Sequence, residues 1–335
     1  MRTLLSLLLS LLFGSVAAAA DPVSELAGFS VFNNVDLNQL AKGDVKSAHG
    51  APMKTARFLS VQSCYVAPGT PAQHLEALRN WDPTQHRELK VFLHSDLSAS
   101  PSAENFAKLR NAPDNGAVRA LVTATQKLDL QISRDEAKKS PGSSAGSGGA
   151  MPAPVAAFWG ELLSARAKSF ASGGTAAQPP YDHSGESIRP NSEFTGLLGE
   201  QEKIRRQFSG FIDNTGIGHG GGSLKSELYW ELLEADDKGV LTLGAFYSKS
   251  NAGGVQAADA LYYASGGYYV SLTLYQMWPV NVGGKDSTLV WRGDMTSSAS
   301  LAELHGVEKL ASESSMMKEI SKAISLFRRD TSGTH

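Results

Sequence analysis

The stretch Tyr268-Tyr-Val-Ser-Leu-Thr-Leu-Tyr-Gln-Met-Trp278 decides the fold class. Its β-branched and aromatic residues alternate with a period of two, Gly266 and Gly267 precede it, and Pro279 follows, so it reads as a β-strand closed by the proline. One face carries Val270, Leu272, Leu274, Gln276 and Trp278, and the other carries Tyr269, Ser271, Thr273, Tyr275 and Met277. After the turn signal Asn281-Val-Gly-Gly-Lys-Asp286, the run Ser287-Thr-Leu-Val-Trp-Arg-Gly-Asp-Met-Thr296 alternates in the same way. The two runs predict an antiparallel hairpin.

Upstream of this hairpin, residues 227–234 and 240–247 read as two more strands around the turn Asp236-Asp-Lys-Gly239. Downstream, residues 313–328 read as a helix with Met316, Met317, Ile320, Ala323, Ile324 and Phe327 on one side and Lys318, Lys322 and Arg329 off it. An apolar face of that size must be covered, and the nearest partner in sequence is the preceding sheet.

Toward the N-terminus, residues 55–66 alternate like a strand. Thr70 is a good N-cap with Pro71 at the first helical position, Leu75 and Leu78 give a short apolar face, and Trp81-Asp-Pro83 stops the helix. Residues 88–94 form the next expected strand. Residues 102–139 read as mostly helical with a break at Pro113-Asp-Asn-Gly116, and residues 155–170 and 193–212 return to a helical period. Between these helices, residues 140–149 are Gly/Ser-rich and read as a flexible linker or surface loop, and residues 173–191 read as a long irregular loop. The expected organisation is therefore an α+β domain begun by residues 21–99, interrupted by a mostly helical insertion at 100–225, and completed by strands and a helix at 226–330.

The chain has 335 residues, a net charge of −2 and a single cysteine, Cys64. Met1 to Ala20 combines one basic residue, an apolar run and a small-residue end, Ala18-Ala19-Ala20, which is the layout of a signal peptide; its apolar core falls short of a membrane span. The expectation is an exported protein, soluble in the periplasm or outside the cell after cleavage. One cysteine forms no internal disulfide, and mid-strand Cys64 reads as a small buried hydrophobe. Without a substantial basic cluster, nucleic acid and anionic membrane surfaces are poor partners.

No sequence-specific catalytic or metal motif occurs. Gly216-Ile-Gly-His-Gly-Gly-Gly222 lacks the Gly-Lys-Ser/Thr end of a phosphate loop and follows a helix rather than a strand. The eight histidines show no metal-ligand spacing, and only His86 and His94, which flank one expected strand, stand out as a pair. Arg292 and Asp294 point the same way along their strand and read as an ion pair. Cofactors and metals are not expected. The aromatic residues beside a Met-rich helix raise a binding cavity above background, and Trp230, Gln276, Trp278, Trp291 and Arg292 are its candidate ligand-binding residues.

The order of elements resembles the START-like, helix-grip superfamily. The strand at 55–66, the Ala67-Pro-Gly-Thr-Pro-Ala-Gln-His-Leu-Glu-Ala-Leu78 segment with Trp81-Asp-Pro83, the strands within 227–296 and the helix at 313–328 carry the likeness. That resemblance implies a curved antiparallel sheet with the C-terminal helix packed across it over a cavity for an apolar small molecule or lipid. It implies binding more than catalysis, with a cavity-based enzyme or a cell-envelope interaction and assembly factor as the alternatives. The helical stretch at 100–225 departs from the superfamily pattern.

Overall fold

The computed structural model describes residues 21–142, 151–182 and 185–331. The expected signal segment and most of the Gly/Ser-rich linker lie outside the described residues. Among the described residues, eight strands form one antiparallel sheet: β1 (Lys46–His49), β2 (Phe58–Pro68), β3 (Val91–Asp96), β4 (Glu227–Ala235), β5 (Lys238–Asn251), β6 (Gly254–Ala264), β7 (Val270–Val282) and β8 (Lys285–Ser297). Their spatial order is β1-β2-β8-β7-β6-β5-β4-β3, so the last strand returns to lie beside the first long one. The fold is α+β.

Two of the connecting turns explain why the hairpins are legible. Gly283 and Gly284 have φ of 59° and 79°, and Asp236 and Asp237 have φ of 50° and 59°. Each pair forms a two-residue link between directly opposed strand residues, Val282 with Lys285 and Ala235 with Lys238. Positive φ at both central positions gives the turn whose twist matches that of the strands. The β7 strand does not end at Pro279 but runs through it to Val282. Pairing of β6 with β7 stops at Val255 and Met277, so Pro279, with no amide hydrogen to give, sits where no bond to β6 is lost.

Helices cover both faces of the sheet. In chain order they are α1 (Pro22–Phe29), α2 (Leu37–Ala41), α3 (Pro71–Asn80), α4 (Gly116–Lys127), α5 (Arg134–Ala137), α6 (Ala153–Gly173), α7 (Pro190–Glu200), α8 (Glu202–Ile212), α9 (Ala299–Ala302) and α10 (Val307–Thr331). Apolar residues of α1, α2, α4, α6, α7 and α8 pack with Leu232, Leu243, Val270, Leu272, Leu274, Trp278 and Trp291 of the sheet. Those of α3, α9 and α10 pack on the opposite face with Val61, Tyr65, Ala257, Tyr275 and Met277. The sheet is thus the middle of three layers.

The helix expected at 193–212 is two helices. Gln201 leaves helical geometry at φ −113° and ψ 62°, and its side chain donates to the Ala51 carbonyl at 3.0 Å. Glu200 accepts from the Thr55 hydroxyl at 2.5 Å, so the break lets two polar side chains tie down the loop before β2. Residues 103–111, expected to be helical, form a 3₁₀ segment. The β6 strand carries little sequence signal, since four of its eleven residues are alanine and few are β-branched. The layer of helices between β3 and β4 also holds a fully buried arginine. Arg166 on α6 makes two hydrogen bonds to Glu136, at 2.8 and 2.6 Å, and lies 4.4 Å from the Tyr263 ring centroid.

Candidate functional site

Between the sheet and α10 lies a cavity of about 560 Å³, within the range typical of small-molecule sites. The α10 helix presents Met316, Ile320, Ala323, Ile324 and Phe327 to it, and Leu78 and Trp81, at and just after the end of α3, complete an apolar wall. The period of α10 is the cause: Ile320, Ile324 and Phe327 recur at three- and four-residue steps, and all are buried. The helix end is pinned where Asp330 accepts from the Trp81 indole at 2.9 Å and meets His86 at 2.6 Å. Within β2 and α3, Tyr65 and His74 join at 3.0 Å beneath Phe327, and burial pushes the His74 ring down to about 3, so it is neutral at ordinary pH.

The opposite side of the cavity is polar. Asp259 on β6 lies opposite Phe246 on β5 and Thr273 on β7, and Thr273 lies opposite Asp294 on β8. The period-2 pleat therefore aligns a carboxylate, a hydroxyl and a second carboxylate across three adjacent strands. Thr273 donates to Asp294 at 2.9 Å. Arg292 spends its fork on the same Asp294, with Nε and Nη2 contacts of 2.7 to 3.0 Å, and lies 5.6 Å from the Tyr275 ring centroid. On the β3 and β4 side, His94 meets Glu231 at 3.0 Å. Burial opposes the imidazolium, but the hydrogen bond and charge of Glu231 outweigh it and raise the His94 pKa above its ordinary value.

Tyr229 donates to Asp259 at 2.6 Å. It reaches across because its cross-strand neighbour on β5 is Gly244. A Cβ at that glycine would collide with the Tyr229 ring, so the missing side chain is what lets the ring lie over β5. Asp259 forms no ion pair with a cationic side chain among the described residues. Burial, with a further contribution from Glu231, pushes its carboxyl up to about 6 despite the Tyr229 hydrogen bond. Its side chain keeps some surface, and that surface belongs to the cavity lining.

Of the five residues that the sequence singles out, Arg292 lines this cavity and four do not. Trp230, Gln276, Trp278 and Trp291 lie on the other face, beneath α1 and the helices between β3 and β4. Trp230 donates to the Asn105 carbonyl at 3.1 Å, and Trp291 donates to Gln62 at 3.1 Å while packing on Phe29 with ring centroids 4.9 Å apart. Gln276 accepts from Gln256 at 2.9 Å, and Trp278 is buried against Phe29. Both faces of the sheet are covered and both carry aromatic residues, so aromatic density in the strands does not tell the closed layer from the hollow one. The residues missed were Tyr229, Asp259 and Thr273. A lone aspartate inside an apolar strand was their available signal, since Asp is depleted in strands unless something holds it.

A second cavity, of about 530 Å³, is lined by Arg57, Gln131, Tyr181, Glu186 and Lys238 among others. Its Arg57 is committed to buried Glu193 through two contacts of 2.8 Å. Among the described residues no His, Cys, Asp and Glu side chains form a group able to hold a metal ion, and no helix is long and apolar enough to cross a membrane. Cys64 is buried, and burial pushes its thiol up to about 12, well away from the range of a reactive thiolate. Comparison with protein-family models, with curated proteins and with solved structures finds no match to this chain.

Proposed function

We propose that this chain is a helix-grip binding protein that holds an amphipathic small molecule between the sheet and α10. The observation that carries the reading is the cavity of about 560 Å³ with an apolar helical wall and a polar strand floor. A ligand with an apolar body and a polar end satisfies both sides, whereas a wholly apolar one would desolvate Asp259 and leave it only the Tyr229 hydroxyl as a partner. The START-like resemblance is supported by the strand order. β2 leads through α3 to the strands β3 to β8, β8 returns to β2, and α10 closes over the sheet. On this reading the stretch between β3 and β4 is an insertion laid on the outer face. The layout of residues 1–20 supports a ligand met outside the cytoplasm.

Native mass spectrometry of the purified protein, with titration of the neutral fluorophore N-phenyl-1-naphthylamine, tests the reading. Ala323 faces the cavity, and Ala323→Phe fills part of it. The expected result is saturable probe fluorescence on the wild type, with loss of most of it in Ala323→Phe at a similar melting temperature. Absence of both a retained ligand and probe binding removes the proposal.

A further inference from the structure

The charges around the cavity do not cancel. Asp294 is paired with Arg292, Glu231 with His94, and Glu227 with Arg79 at 2.8 Å. Asp259, at the centre of the polar floor, has only the Tyr229 hydroxyl. A carboxylate enclosed in this way is costly unless paired, and the side from which a partner can come is the cavity that it lines. The rings of Tyr229, Tyr268 and Tyr275 border the same space, and aromatic faces attract a cation further.

We propose that the cavity takes a cationic amphiphile, its ammonium head paired with Asp259 and its apolar body lying along α10; this rests on the cavity being a ligand site. An alcohol or a carbonyl compound gains a hydrogen bond there but leaves the charge unpaired. A carboxylate ligand meets like charge. The order of affinity for one chain length is therefore amine above alcohol above carboxylate.

The groups that face Asp259 act together as pH falls. Tyr229 donates to it from β4, Glu231 on β4, His94 on β3 and Arg292 on β8 act on it by charge, and Asp96 on β3, Tyr268 before β7, Thr273 and Tyr275 on β7, Asp294 on β8 and Glu319 on α10 line the same cavity. Protonation of Asp259 removes the negative charge, and protonation of His94 adds a positive one. Both weaken the hold on a cation, so the preference for an amine falls on acidification.

The test is displacement of N-phenyl-1-naphthylamine by decylamine, decanol and decanoate, on the wild type and on Asp259→Asn, with melting curves to show that both are folded. At pH 8 decylamine should displace the probe at about one tenth of the decanol concentration, the difference expected of one charge-assisted contact of roughly 1.4 kcal/mol. In Asp259→Asn that ratio should fall toward one, and in the wild type it should shrink between pH 8 and pH 5. Displacement by decanol as readily as by decylamine overturns the cationic preference while leaving the binding cavity intact. A preference that survives in Asp259→Asn at full strength also overturns it, because the head group is then held elsewhere. Failure of the probe and of every competitor to bind overturns the cavity reading itself.

Discussion

Asp259 sets the stability of the fold against the binding role proposed for it, and the stability side is measurable without any ligand. Its carboxyl titrates near 6 in the folded protein, against an ordinary value of 3.8. At about 1.4 kcal/mol per pH unit, holding it ionised in the native state opposes folding by roughly 2 to 3 kcal/mol. Well below pH 4 the group is protonated both folded and unfolded and contributes no difference. The penalty accumulates between about pH 4 and pH 6 and is complete above that window, so the wild type loses this amount as pH rises. Asp259→Asn keeps an oxygen to accept from Tyr229 and carries no charge. After allowance for the new amide hydrogens, it should be more stable than the wild type by about 2 kcal/mol at pH 8, with most of that difference gone at pH 4. Urea unfolding at the two pH values, with slopes compared to confirm two-state behaviour, reads the difference directly. A variant less stable than the wild type at pH 8, or an effect of the same size at both pH values, would show that the Asp259 charge is balanced in the native state and would refute the reasoning.

Three further changes probe the layers around the site. Phe327 is 3 % exposed and packs on His74 and Trp81 with ring centroids 5.2 and 5.6 Å away, so Phe327→Ala should cost about 3 to 5 kcal/mol in denaturant unfolding. Arg166→Met in the opposite layer leaves Glu136 without its cation and should cost about 3 to 5 kcal/mol, most of it relieved when Glu136 is also made apolar. Gly244→Ala places a methyl group against the Tyr229 ring and should cost about 1 to 3 kcal/mol. It should also break the Tyr229 to Asp259 hydrogen bond, a contact that holds the Asp259 pKa down, so the pH window of the stability curve should move upward; a curve unmoved in position would show that the ring does not depend on that glycine.

The parts of the fold written in local chemistry were legible. Thr70 caps α3 as its place before Pro71 suggested, with Gln73 completing a reciprocal cap, and the alternation read in 268–278 separated the two faces of β7 correctly. The apolar stripe of α10 was likewise read from spacing alone, and Ile320, Ile324 and Phe327 are buried as that stripe requires. What spacing could not reveal was the identity of the layer above each face. Gln276 and Arg292 are on adjacent strands one pairing position apart, yet one meets α8 and the other the cavity, because α8 and α10 come from distant parts of the chain. The β6 strand was hidden for a related reason. Its alanines have weak strand preference, and pairing with β5 and β7 on both sides is what makes it a strand.

The two faces of the sheet explain how one chain can carry a hollow, charged site and still fold. On the closed face, Phe29, Phe208, Trp278 and Trp291 interlock, with ring centroids 4.9 to 6.2 Å apart, and most of the large buried aromatics of the described residues belong to this layer. Aromatic contacts of that kind stabilise by area and by ring geometry together. On the other face the rows that cross the sheet include Ser271, Thr273 and Asp294, none of which reaches far toward α10, and the helix answers with Ala323 at the centre of its stripe. Small groups facing small groups leave space, and that space is what a cavity requires. The strands are common to both layers, so the closed layer holds β4, β6, β7 and β8 in register and thereby keeps Tyr229, Asp259 and Arg292 in place around the hollow. Weakening the closed layer, as in Arg166→Met, should accordingly lower global stability, whereas filling the open one, as in Ala323→Phe, should change binding first; the reverse ranking would mean that the open face also carries the stability of the fold.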